Sequence, residues 1–262
     1  MHYGDFVQNY DRVRHGEKWG GSDGDYYRAL PYRDLSGRHV DVWSLRSISF
    51  QALLKEVVQP LSQARNRALR ILDCGAGNGW MSYRLALEGH DLLATDLRVD
   101  DADGLGACSW YMDAVTFEMA QATFEELPLC DGQVDLVIFG GSIHYSANYE
   151  ETLTEALRVL RHDGQLVILD SPVYKHAHSG GQMVKELYKQ LQQNHSIDPH
   201  VAIHENYLTP RRLQDLGRQL SLSWRQLEPH YGWRWALAPW LARLRRRREP
   251  ARFYVIVGQR QS

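Results

Sequence analysis

Between residues 69 and 170 the chain alternates short apolar runs with amphipathic stretches, and no other feature limits its fold as strongly. Residues 135–139 and 165–170 are dominated by consecutive apolar side chains, without the every-second-residue polarity of a half-exposed strand. Such runs suit central parallel strands covered by helices on both faces. Further strands are expected at 69–73, 91–96 and 119–123. A helix is expected at 79–88, ending near Gly89. Another is expected at 149–160, with Leu153, Leu157 and Leu160 on one face and a stop at Gly164 after Arg161, His162 and Asp163. Strands alternating with helices predict an α/β fold, a Rossmann-like doubly wound sheet.

The flanks are read on the same grounds. Phe50, Leu53, Leu54, Val57 and Val58 recur at helical spacing, and Pro60 is expected to end that helix. Residues 1–60 form an N-terminal cap or lid with short helices, and 61–262 the main domain. Met183, Leu187 and Leu191 mark a later helix. Strands are expected at 221–226 and 252–257, the last inserting antiparallel. An insertion rich in Trp and Arg lies at about 229–250.

Composition removes several function classes. With 30 Lys and Arg against 32 Asp and Glu, the net charge of -2 supplies no basic field, and no nucleic acid is expected as a partner. Cys74, Cys108 and Cys130 have no CxxC spacing, which argues against a disulfide framework or structural zinc and fits a reducing cytoplasm. No signal peptide is expected in the polar and aromatic first ten residues, and no apolar run approaches the ~18 residues of a membrane span.

The expected strand at 69–73 runs into Asp73-Cys74-Gly75-Ala76-Gly77-Asn78-Gly79. Glycines let backbone approach a ligand that a Cβ would block, and the following helix start offers free amides. Alone, the turn is equally a dinucleotide loop or a tight turn. Asp96 at the end of the second strand adds an acceptor for ribose hydroxyls, or else caps a turn.

These segments resemble the class I S-adenosylmethionine-dependent methyltransferases, in particular those acting on small molecules. The resemblance covers about residues 69–172. It includes Glu125-Glu126-Leu127-Pro128-Leu129 with Asp131 to Val137, Ser142-Ile143-His144-Tyr145, and Ala156 to Leu166. It implies S-adenosylmethionine as cofactor, with Asp73, Gly75, Ala76 and Gly77 on its methionine part. Asp96 would hold the ribose, Leu97 the adenine, and Gly140 with Gly141 would lie near the sulfonium. Thr123, with Phe124 beside it, stands where the family often has an Asp for the adenine amino group. A nicotinamide-dependent reductase shares the turn and Asp96. It leaves the Leu127-Pro128 turn and the late strands unexplained.

Methyl transfer needs alignment and exclusion of water, and a base only where the acceptor must lose a proton. His144 and Tyr145 are the catalytic candidates. His144 is a base or substrate contact, or a histidine packed between loop and helix. Ser142, Asp170, Tyr174, His176 and His178 share the same strand-end region. The His176-Ala177-His178 triplet lacks a carboxylate or cysteine partner at ligand spacing, so no metal is expected. In the cap, Tyr26, Tyr27, Trp43 and Arg46 either close over the acceptor or serve as core and surface. Trp233 to Arg248 combines aromatics with an arginine cluster, which suits peripheral membrane contact, an acidic substrate, or a packed helix with a solvated tail. Expected is methyl transfer to O, N or C of a small molecule. The alternatives are a lipid-directed methyltransferase and a cofactor-binding protein without turnover. Nothing in the sequence sets the oligomeric state.

Overall fold

The computed structural model describes residues 3–195, 204–244 and 247–261. Four helices precede the sheet: α1 (Tyr3–Gly16), α2 (Gly24–Ala29), α3 (Val40–Leu53) and α4 (Gln59–Arg65). Then follow β1 (Arg70–Cys74), α5 (Trp80–Leu87), β2 (Asp91–Asp96), β3 (Glu118–Gln121), β4 (Val134–Gly140), α6 (Tyr149–Val159) and β5 (Leu160–Leu169). The chain continues through α7 (Ala177–His195), α8 (Pro210–Gln219), β6 (Leu222–Leu227), α9 (Trp233–Leu244) and β7 (Val255–Arg260).

The strands form one seven-stranded sheet in the order β3-β2-β1-β4-β5-β7-β6. Pairing is parallel from β3 to β5, and β7 runs antiparallel to both β5 and β6. The strand order reverses between β1 and β4. This leaves a crevice at their carboxyl ends, the place where open α/β sheets bind ligands.

Both faces of the sheet are buried, which accounts for the unbroken apolar runs. Ile71, Ala94, Ile138, Val167 and Val257 pack with Leu53, Trp80 and Leu85 on one side. Leu72, Val137, Phe139, Ile168 and Ile256 pack with Leu153, Leu157 and Leu213 on the other.

Three sequence expectations are corrected. The helix expected to stop at Pro60 continues: a π-helical turn, Leu54–Val58, links α3 to α4, and the chain stays helical to Arg65. Pro60 falls at the junction of the π-helical turn with α4, where the regular i→i−4 hydrogen-bond pattern is already interrupted. Asn66 ends the run in a left-handed conformation, φ 51°. Residue 60, the expected boundary of the cap, therefore lies inside a helix. Next, β5 begins at Leu160 rather than at Gln165, because Leu160 turns extended to pair with Val134, so Arg161, His162 and Asp163 lie in the strand and not in the last turn of α6. Finally, β7 begins at Val255, not Arg252. Arg252 instead bridges Val173, and Phe253 packs on Trp235 with ring centroids 5.8 Å apart.

Asp135 clamps the amino end of β4. It is fully buried and accepts from Arg65 (2.5 Å), from both terminal nitrogens of Arg67 (2.7 Å each), from Arg161 (2.7 Å) and from the Arg70 amide (2.8 Å). One carboxylate thus joins α4, β1, β4 and β5. These cations hold its pKa down to about 2 despite its burial.

Candidate functional site

The glycine turn leaves β1 at Cys74 and crosses the carboxyl edge of the sheet. The Gly75 and Ala76 amides both donate to the Thr95 carbonyl, at 2.7 and 3.0 Å. Gly75, Gly77 and Gly79 have φ of +72°, +56° and +71°, a region that L side chains rarely adopt. Space is equally restrictive at Gly75, where a Cβ would lie 2.5 Å from the Ser142 Cβ. The turn is thereby pressed against the loop after β4, and Ser142 Oγ donates to the Cys74 carbonyl at 2.6 Å.

Beside this turn opens a cleft of about 960 Å³, counting its open mouth. Gly75, Ala76 and Gly77 form one wall, and Asp96 and Leu97 follow at the end of β2. Phe124 and Gly140 line it too, the Phe124 ring lying 3.3 Å from where a Cβ on Gly75 would stand. Asp96 Oδ2 accepts from the Gly77 amide at 2.7 Å and Oδ1 from the Arg98 amide at 2.8 Å. Each oxygen keeps a lone pair for a further donor. Phe124 is held edge-on against Phe139, centroids 5.5 Å apart.

Two of the sequence-predicted cofactor residues do not line the cleft. Thr123 Oγ1 accepts from the Glu126 amide at 3.1 Å and caps a turn, while its neighbour Ala122 takes the wall position. Asp73 points into the protein, where its Oδ2 accepts from Ser82 Oγ at 2.8 Å. Burial pushes its carboxyl up to about 7, with the charge of Asp96 adding to the shift. A folded pKa above the unfolded value means that stability falls as pH rises through the interval up to about 7. Asp73→Asn is accordingly expected to raise thermal stability at about pH 8 by on the order of 2 kcal/mol. At about pH 4 it should change little. Melting curves at both values check this, and a uniform shift at the two would count against it.

Around the mouth, Tyr145 lines the cleft and His144 does not. His144 Nδ1 faces Ser171 Oγ at 3.2 Å, and its ring lies 4.3 Å from that of Tyr145. Burial, with Arg46 and His204 nearby, holds its pKa down to about 3, so the imidazole is neutral near pH 7. Burial raises the Tyr145 phenol well above its ordinary value.

The cap supplies residues that sequence reasoning missed. Tyr10 and Arg14 of α1 line the cleft, and outside the cap His204 does so too. Arg14 pairs with Asp103 at 2.5 Å and lies over the Trp19 ring, 3.7 Å from its centroid. Arg98 pairs with Asp11 (2.6 Å), Asp100 (2.8 Å) and Asp103 (3.1 Å), tying α1 to the segment after β2. Of the four cap residues singled out from sequence, only Arg46 reaches the cleft, with its guanidinium 4.8 Å from the Trp43 ring centroid. Tyr26, Tyr27 and Trp43 are buried in the core instead. Asp170 sits behind Gly141, accepting from Ser49 Oγ at 2.6 Å. Tyr174 accepts from Arg248 at 2.9 Å. His176 and His178 are exposed at the start of α7.

Residues 72–168, which span β1 to β5 and the cleft-forming turns, match the family described as Methyltransferase domain. Over these residues the chain carries a methyltransferase domain. Curated relatives of this domain include the 27-O-demethylrifamycin SV methyltransferase of Amycolatopsis mediterranei, 29% identical over 164 residues. That match covers 59% of this chain and 59% of the relative. An uncharacterized methyltransferase of Mycobacterium bovis is 30% identical over 159 residues, or 57% of this chain and 63% of the relative. The chain thus spans about three fifths of the length of the curated relatives it matches. The methyltransferase fold itself extends further. A Burkholderia thailandensis 1,6-didemethyltoxoflavin-N1-methyltransferase, whose structure carries 1,6-didemethyltoxoflavin and S-adenosylhomocysteine, aligns with a TM-score of 0.54 over 92% of each chain at 15% identity.

Proposed function

We propose that this protein transfers the methyl group of S-adenosylmethionine to an O, N or C atom of a small molecule. The observation that carries this reading is the cleft at the β1/β4 reversal, with the left-handed glycine turn on one side and the Asp96 carboxylate at its edge. The residues present fit the cofactor. The free lone pairs of Asp96 suit the two ribose hydroxyls, and Leu97, Ala122 and Phe124 offer apolar surface to the adenine. Gly75, Ala76, Gly77 and Gly140 bring backbone close enough for the methionine part. Asp73 acts from behind, holding the turn to α5 through Ser82.

S-adenosylmethionine supplies a methyl group already activated by its sulfonium. The chain's own task is then to orient the acceptor and exclude water. Tyr10, Arg46, Tyr145 and His204 surround the acceptor side. The raised Tyr145 phenol stays protonated and serves as a hydrogen-bond donor, not as a base. Neutral His144 packs behind it and positions it. Of the expected cap, α1 acts as the lid over the cleft, held by the Arg98–Asp11 and Arg14–Asp103 pairs. All three cysteines are unpaired, and Cys130 is exposed, which suits a reducing cytoplasm.

Calorimetry with S-adenosylmethionine and with a nicotinamide dinucleotide tests the cofactor. Binding of the first and not of the second is expected, and the reverse would overturn the proposal. A panel of small hydroxylated and amino compounds tests turnover through release of S-adenosylhomocysteine. Cofactor binding with no release from any acceptor class would favour a binding protein without turnover.

A further inference from the structure

Helix α9 turns large apolar side chains outward. Trp233, Leu237, Trp240 and Leu244 follow one another at steps of four, three and four residues, so a helix places them in a single stripe. They are 68%, 46%, 77% and 80% exposed. The opposite side of the helix is the one that packs: Trp235 lies against Tyr231 and Phe253, with centroids 5.8 Å away in each case. A helix that docks by one apolar side and exposes a second one has a surface that water does not explain.

Charge indicates what covers it. From Trp233 to Arg248 the chain carries six arginines and no acidic residue, although the whole protein is slightly acidic. Bulky aromatics and leucines along one side of a helix, flanked by arginines, match the interface of an anionic bilayer. There the rings sit at headgroup depth and the guanidinium groups meet phosphates. A strongly basic segment beside the stripe would repel the same segment of a second copy, so a symmetric dimer through this face is disfavoured.

We propose that α9 seats this protein on an anionic lipid surface through Trp233, Leu237, Trp240 and Leu244. The helix is joined to the rim of the cleft. Tyr231, just before it, lies beside Ser49 and Asp170, and the chain after it returns through Arg248, which bonds Tyr174 Oη at 2.9 Å and Glu186 at 3.0 Å. Asp170 in turn backs Gly141 of the cleft wall. A membrane under α9 therefore lies next to the acceptor side, and acceptors that partition into the headgroup layer reach the cleft from it.

The test is sedimentation of the full chain with vesicles of phosphatidylcholine alone and of phosphatidylcholine mixed with phosphatidylglycerol. Binding to the anionic vesicles, and weak binding to the neutral ones, is expected. Combining Leu237→Ser, Trp240→Ser and Leu244→Ser should weaken that binding roughly tenfold or more. Replacing Arg243, Arg245, Arg246 and Arg247 by Gln should abolish the preference for anionic vesicles, and raising salt from about 0.1 to about 0.5 M should weaken it in the parent protein. Melting temperature and S-adenosylmethionine binding should be unchanged in both variants, because Leu237, Trp240, Leu244 and Arg247 are exposed and do not line the cleft. No binding to anionic vesicles, or binding that the serine variant retains, would overturn the proposal. So would a dimer formed without lipid and lost in the serine variant, which would assign the stripe to a second copy. Failure of cofactor binding in the parent would sink the methyl-transfer reading and leave this one standing.

Discussion

Asp96→Ala is expected to lower affinity for S-adenosylmethionine about 100-fold, because two roles disappear together. The carboxylate presents the acceptors proposed for the ribose hydroxyls, and charge-assisted bonds of this kind contribute roughly 1.5–3 kcal/mol each. It also accepts from the Gly77 amide at 2.7 Å and so holds the glycine turn in its left-handed course. Asp96→Asn separates the two. It keeps an acceptor for Gly77 while discarding the charge, and should fall between the parent and the alanine variant. Isothermal titration with S-adenosylhomocysteine measures both. Parent-like affinity in the alanine variant would remove Asp96 from the cofactor site.

The largest loss of stability is expected from Asp135→Ala. Its removal strands Arg65, Arg67 and Arg161 around a buried gap and leaves the Arg70 amide without its acceptor. Breaking a buried ion pair on one side costs about 3–5 kcal/mol. Arg67 and Arg161 are partly exposed and screened, which places this case nearer about 3 kcal/mol. Its pH dependence has a definite sign. The folded pKa of about 2 lies below the unfolded value of 3.8, so the contribution is complete above pH 4 and fades as pH falls toward 2. Urea melts at about pH 7 and about pH 2.5 should therefore show the difference between parent and variant shrinking in acid. Cofactor affinity should change little, since Asp135 is at the amino end of β4 and Gly140 of the cleft at its carboxyl end. An equal difference at both pH values would contradict the ion-pair account.

Asp73 and Asp135 show how far local sequence reaches. Both are acidic residues in apolar strands, and the resemblance assigned Asp73 to the cofactor while leaving Asp135 without a role. Their surroundings decide otherwise. Among the described residues Asp73 meets only Ser82 as a side-chain donor and is pushed toward neutrality, whereas Asp135 meets three arginines from distant parts of the chain and stays charged. Arg14 and Asp103 were invisible for the same reason. Their pairing spans 89 residues, and neither sits in a periodic or motif-bearing segment.

By itself the sequence determined the class of the fold and the place of the glycine turn. Unbroken apolar runs require a sheet buried on both faces, and left-handed backbone at Gly75, Gly77 and Gly79 excludes most other residues. Those are local constraints, written in consecutive side chains. Only the tertiary structure decided where β5 begins, how Pro60 sits inside a helix, which cap residues reach the cleft, and that Thr123 turns away from it. Each of these is set by a partner far along the chain: Val134 pairing with Leu160, a core closing over Trp43, a turn drawing Thr123 toward Glu126. The outward stripe on α9 belongs to both. Its residues were legible as a Trp and Arg cluster, but which of its sides faces water was settled only by packing against Tyr231 and Phe253.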